Sequence, residues 1–229
     1  MLEVAVEAFD EYCERVGSSI FAEPVNAISN FSFIFAAWAA WILAKRTGTL
    51  STGVKVLIAL GGSVGIGSMS WHTLANTWTL YLDVVPIVIF IIGFIWLYTR
   101  NVMAKGPGFA ALSIGAFLLS AFLVRPIGDA LHGAPSYLPG LLVVLVLGLY
   151  HAIQQKPSRF TLLIAAGVYF TALFFRTIDL ELCHFMTIGT HFIWHTLIGL
   201  VTYLAMRSLI LSLASNVSVG EPAESVALP

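Results

Sequence analysis

WTLYLDVVPIVIFIIGFIWLY, residues Trp78–Tyr98, decides the fold class of this chain. A helix needs about 20 largely apolar residues to cross the hydrocarbon of a bilayer, and this run meets that length with a single charge, Asp83. Working outward, comparable stretches recur at Val25–Leu43, Val54–Leu74, Gly108–Val124, Tyr137–Ile153, Phe160–Phe175 and Thr187–Leu211, the fourth to sixth of the seven being the shortest. Composition agrees. Of 229 residues 59% are hydrophobic and 10% charged, with a mean hydropathy of +0.91, more apolar surface than one soluble core can cover. The expected fold is an all-α polytopic membrane protein of seven transmembrane helices.

One domain over residues 1–211 and a mobile Ser-, Glu- and Pro-containing tail over 212–229 complete the expected organisation. The segment RPIGDALHGAPSYLP, Arg125–Pro139, reads as a connection because of its Pro and Gly content. No repeat period is visible. A net charge of -1 offers no basic footprint for nucleic acid, and no protein partner is indicated. The first residues lack a basic segment followed by an apolar core, and the last carry no prenylation or retention signal.

Orientation follows from the basic residues. With seven alternating helices, one side receives Lys45, Arg46, Lys55, Arg100, Lys105, Lys156, Arg159 and Arg207, which is eight of the eleven Lys and Arg residues. The positive-inside rule makes that side cytoplasmic, with the N-terminus outside and the C-terminus inside. On this topology Ser68 and His72 near the end of the second helix, Asp83 early in the third, and His191 and His195 early in the seventh share one depth near the outer face. Residues four apart lie on one helix face, so each pair points one way. Polar side chains within membrane segments are expensive and commonly mark function. Three imidazoles suit tetrahedral zinc with an open fourth place, the arrangement of catalytic zinc sites.

Blander readings stand beside these. A lone intramembrane histidine serves equally as a hydrogen bond between helices, the role expected of His151 and His184 unless they sit at the interface. Gly61, Gly62, Ser63 and Gly65 allow close helix approach, and no strand precedes them as a nucleotide loop requires. Trp38, Trp71, Trp78, Trp96 and Trp194 read as belt or packing residues. Haem is disfavoured, because two histidines one turn apart on one helix do not reach opposite faces of a macrocycle. A receptor-like protein with a structural zinc site remains open, as does a hydrolase of another lipid amide or ester.

EPVNAISN (Glu23–Asn30), GIGSMSWHTL with LDVVP (Gly65–Leu74, Leu82–Pro86) and IGTHFIWH (Ile188–His195) resemble the three signature regions of the alkaline ceramidases, within the wider superfamily of seven-helix membrane hydrolases to which they belong. The resemblance spans nearly the whole helical region. Progestin and adipoQ receptors share the Ser, His, Asp and paired His but differ after the Asp and in orientation. The resemblance implies a zinc-dependent amidase that cleaves ceramide-like lipids to a sphingoid base and a fatty acid. It implies zinc on His72, His191 and His195, Asp83 as general base and Ser68 as oxyanion donor, a nucleophilic Ser68 being the alternative. It also pairs Cys13 with Cys183, which the topology places outside, where disulfides persist; two free thiols are the alternative. Finally it maps a calcium site onto Glu11, the Tyr12 carbonyl, Glu14 and Glu23, beside Asp10 in an acidic outer segment. There the chain departs from the pattern, with Glu11 in place of Asp, Val16 in place of Asn and a shorter span before Glu23. A solvated acidic segment is the competing reading.

Overall fold

A computed structural model describes residues 11–17, 19–130 and 134–220. Among these residues all regular structure is helical, as the composition predicts: α1 (Pro24–Ser29), α2 (Phe31–Arg46), α3 (Thr52–Leu74), α4 (Thr77–Leu97), α5 (Pro107–Ala130), α6 (Leu138–Ile153), α7 (Thr161–Thr177) and α8 (His191–Gly220). A π turn, Tyr98–Val102, continues α4, and 3-10 turns at Ala134–Tyr137 and Leu180–Leu182 precede α6 and follow α7.

Local chemistry sets the ends. Pro24 opens α1 at a position where its missing N–H costs nothing. The Ser51 hydroxyl accepts from the Val54 N–H to start α3, and Asn76 and Thr79 form a capping box at the start of α4. Ala75, left-handed at φ 42°, ends α3 and permits the sharp turn between them. At Asn30 the chain tightens to i→i+3 bonds, Asn30 N–H to Ala27 and Phe33 N–H to Asn30, which separates α1 from α2 without ending the crossing.

Among the described residues, six helical spans are long and apolar enough to cross a membrane: Pro24–Arg46, Thr52–Leu74, Thr77–Val102, Pro107–Pro126, Pro135–Ile153 and His191–Asn216. The sixth expected crossing corresponds to α7, which is apolar but shorter, at 17 residues. Two expected boundaries differ. Helix α5 continues into the stretch expected as a connection and ends at Ala130, its interior Pro126 notwithstanding. Helix α8 continues nine residues beyond Leu211 to Gly220, the Ser212 hydroxyl donating to the Ser208 carbonyl, because Ser side chains can bond back along a helix instead of breaking it. Residues 221–229 of the expected tail lie outside the described residues.

Sequential helices pack as antiparallel neighbours, α3 on α4, α6 on α7 and α7 on α8, while α2 returns to lie against α3 and α8. Leu57, Phe94, Tyr98, Leu162, Met206 and Leu209 fill the interior. Large apolar side chains such as Ile66, Leu112, Phe122 and Phe170 are exposed instead, an outer surface suited to lipid tails. The alternation places one end of the bundle at the end of α3, the starts of α4, α6 and α8, and the end of α7. Lys45, Arg46, Lys55, Arg100, Lys105, Lys156 and Arg159 lie at the other.

Candidate active site

Close approach of α3 and α4 comes from two residues with missing groups. Pro86 has no N–H to give the Leu82 carbonyl, so that carbonyl loses its helical partner. Gly67 lies against it: a Cβ on Gly67 would overlap the Leu82 carbonyl oxygen and crowd the Asp83 nitrogen. Each contact residue is one position from a polar one, so Ser68 and Asp83 are brought together, and the Ser68 hydroxyl hydrogen-bonds the Asp83 carboxylate.

The start of α8 is held by Asp179, a buried carboxylate after α7. One of its oxygens accepts from the Thr190 N–H at 2.5 Å and the His191 N–H at 2.9 Å, and the other from the Cys13 N–H at 3.1 Å. Gly189, at φ 61°, makes room for it, since a Cβ there would collide with the carboxylate. Cys13 and Cys183 form a disulfide beside this point, with Cα atoms 5.0 Å apart. The N-terminal segment is thereby fixed over the end of the bundle.

His72, His191 and His195 converge there, all buried, each offering a nitrogen within 4.8 Å of the others. The outer nitrogens have partners. His72 Nδ1 lies 2.5 Å from Glu23 Oε2, a carboxylate that can only accept, so this nitrogen carries the proton. His195 Nδ1 lies 2.8 Å from the Ser29 hydroxyl, which spends its own hydrogen on the Asn26 carbonyl at 2.6 Å and so accepts from the imidazole. Both Nε2 atoms are then lone-pair acceptors, and they face each other at 3.1 Å. Two acceptors at that distance repel unless a cation sits between them. His191, stacked on the Tyr12 ring with centroids 3.9 Å apart, supplies the third nitrogen. Nitrogens held ~2.1 Å from a tetrahedral ion are ~3.4 Å apart, close to the 3.1 Å between the Nε2 atoms of His72 and His195. The donor set, three neutral imidazoles with one carboxylate behind them, fits zinc.

Ser68, Asp83, His191 and His195 line one cavity of about 30 Å³, together with Tyr137 and Arg176. Phe33, Val64, Ile87, Tyr169 and Ile198 form its floor and also line a second, apolar cavity of about 60 Å³ that reaches between α4 and α8. A polar, water-sized space thus adjoins an apolar one inside the bundle.

Of the five residues expected for catalysis and zinc, Ser68, Asp83, His191 and His195 line this cavity, and His72 reaches His195 through Nε2. The acidic segment has a different construction from the expected calcium cluster. Both Glu14 oxygens accept backbone N–H groups at the start of α1, from Val25 and Asn26, each at 2.7 Å. Glu23 bonds Arg15, Asn26 and His72, and the Tyr12 carbonyl accepts from the Arg15 N–H at 3.1 Å. Glu11 is exposed, and Asp10 lies outside the described residues. Burial pushes the Glu14 and Glu23 carboxyls up from their ordinary values, against the pull of these donors. The calcium expectation gains no support from this geometry. His151 is buried at the opposite end, bridging the Tyr98 hydroxyl at 2.6 Å and the Pro157 carbonyl at 2.9 Å, and His184 is exposed beside Phe185.

The supporting residues Ser29, Arg15, Asp179 and Arg176 are absent from the sequence expectations. One signal was available: Glu23, Asn26 and Asn30 fall three and four apart, a polar stripe on an otherwise apolar helix.

The Ceramidase family model matches residues 5–223 of the chain. No curated protein matches it.

Proposed function

The chain belongs to the ceramidase family, and we propose that it is a seven-crossing, zinc-dependent lipid amidase that hydrolyses ceramide-like substrates to a sphingoid base and a fatty acid. The observation that carries this reading is a cluster of three buried histidines, two of which line one cavity together with Ser68 and Asp83, next to an apolar cavity. His72, His191 and His195 would hold the metal. When bound, zinc supplies a Lewis acid that polarises a carbonyl and acidifies water.

The remaining chemistry belongs to the side chains. Asp83 takes the proton of the attacking water and later gives it to the departing nitrogen, so a C–O bond forms, the amide C–N bond breaks, and the products are carboxylate and amine. Ser68 turns about its Cα–Cβ bond from Asp83 toward the carbonyl oxygen and donates to the negative charge that develops there. A nucleophilic Ser68 would have to take Asp83 as its base, since the three imidazoles hold the metal on this reading, and Asp83 would then not serve the attacking water. Glu23 and Ser29 hold His72 and His195 in the tautomers that direct Nε2 inward. The apolar cavity suits the hydrocarbon chain of a lipid amide and excludes water from all but the reacting end.

Purified protein assayed for metal and for fatty acid release from ceramide, dihydroceramide and other N-acyl lipids tests the reading. Bound zinc and amide hydrolysis that is lost on chelation and restored by zinc are expected. Folded, zinc-loaded protein that leaves the whole panel intact would overturn it.

A further inference from the structure

Arg176, in the last turn of α7, is the one cation among the described residues lining the cavity of the histidines. Three rings surround its guanidinium, with centroids 4.8 Å away for Tyr137, 5.5 Å for Trp194 and 5.7 Å for Tyr12, whose hydroxyl also hydrogen-bonds it. Its Nη1 points at the His191 ring, 3.3 Å from Nδ1. Among the described residues it forms no ion pair, not even with Asp83 of the same cavity, and its buried Nε–H has no hydrogen-bond partner.

A guanidinium buried with an unpaired N–H is costly, and ring faces offset only part of that cost. Its chemical complement is a planar anion, since a carboxylate takes two parallel bonds from Nε and a terminal nitrogen. Amide hydrolysis creates that group in this cavity: the oxygen of water becomes the second oxygen of a carboxylate, and the nitrogen leaves as an amine. The neutral substrate carries no such charge, whereas the product does. We propose that Arg176 is the carboxylate-binding residue of the cavity, holding a long-chain fatty acid through Nε and a terminal nitrogen. The inference rests on the lipid-amidase reading, and its consequence is that free fatty acid binds more tightly than an uncharged lipid of the same chain length.

Equilibrium binding of radiolabelled myristate and of 1-tetradecanol to the purified zinc-loaded protein tests it, in the wild type, Arg176→Gln and Arg176→Lys. The wild type should prefer myristate, and Arg176→Gln should weaken myristate binding by about 10- to 100-fold, the scale of a hydrogen bond to a charged group, while tetradecanol binding holds. Arg176→Lys should fall between, keeping the charge without the planar fork. The difference between wild type and Arg176→Gln should persist after chelation; its disappearance would assign the carboxylate to the metal and overturn the proposal. Folded Arg176→Gln protein binding myristate as the wild type does would also overturn it. If that variant fails to fold, a wild type with no preference for myristate over tetradecanol overturns the proposal by itself. Amide hydrolysis on the same preparations separates the two readings. Active enzyme with unchanged myristate binding in Arg176→Gln removes the Arg176 assignment alone, whereas Arg176-dependent myristate binding without amide hydrolysis upholds the carboxylate site and removes the amidase.

Discussion

Which nitrogen His72 and His195 turn inward is decided by residues outside the cavity. Glu23 and Ser29 occupy their Nδ1 positions, so replacement of a ligand and replacement of its partner should differ in kind. His72→Ala, His191→Ala or His195→Ala should abolish most zinc binding and nearly all turnover, because three protein ligands leave none to spare. Glu23→Gln keeps the size but loses the acceptor-only charge that fixes the tautomer, and zinc affinity should fall by about 10- to 100-fold. Asp83→Asn and Ser68→Ala should retain zinc, losing turnover by about 10²–10⁴-fold and 10²–10³-fold respectively, the scales of general base and oxyanion donor. Metal analysis, isothermal zinc titration and ceramide hydrolysis on the same preparations distinguish the classes. Normal zinc and normal turnover in folded His191→Ala protein would remove the metal centre as described.

Helices α3 and α4 meet through an absence on each side, the side chain of Gly67 and the N–H of Pro86. Gly67→Ala forces a methyl group onto the Leu82 backbone, which cannot rotate away, so the helices must part and Ser68 must leave Asp83. A loss of about 1–3 kcal/mol in stability is expected, as for overpacking elsewhere, with turnover falling alongside. Gly62→Ala is the control, since its Cβ meets only the Ala37 methyl at an ordinary 3.5 Å. Equal unfolding midpoints and equal turnover for the two variants would show that the close contact is dispensable. The sequence makes this part of the site only half legible. Ser68, His72, Asp83, His191 and His195 can be found from helical spacing and depth, because each is polar in an apolar run and four-residue spacing fixes a face. Asp179 cannot be found that way. It lies between helices, where a carboxylate is unremarkable, and its role as acceptor for the first N–H groups of α8 arises from a turn that brings residue 179 beside residue 191. Glu23 was legible as an acid with a function, but its partner was not, since Arg15 and His72 reach it through folding of the N-terminal segment over the bundle.

At the scale of the molecule, charge and oxidation point the same way. Seven of the basic residues lie at the end of the bundle away from the histidines, while the Cys13–Cys183 disulfide lies at their end. Positive charge is retained in the cytoplasm, and disulfides persist outside it, so the two arguments are physically independent and both favour an active site near the outer or lumenal face. The fold class and most helix positions were legible because apolar length is a property of local sequence. The shorter α7 is the exception, and its crossing decides whether the two termini fall on opposite sides. We expect a tag before residue 1 to be accessible to protease or membrane-impermeant label in sealed, correctly oriented cells or vesicles, and a tag after residue 229 to be protected until the membrane is opened. Without reductant, Cys13 and Cys183 should resist alkylation, and after reduction an impermeant maleimide added from outside should reach them. The reverse tag pattern would invert the topology and move the site to the cytoplasmic leaflet. Two tags protected on the same side would mean that α7 does not cross, and the lipid would then have to enter a bundle with an even number of crossings.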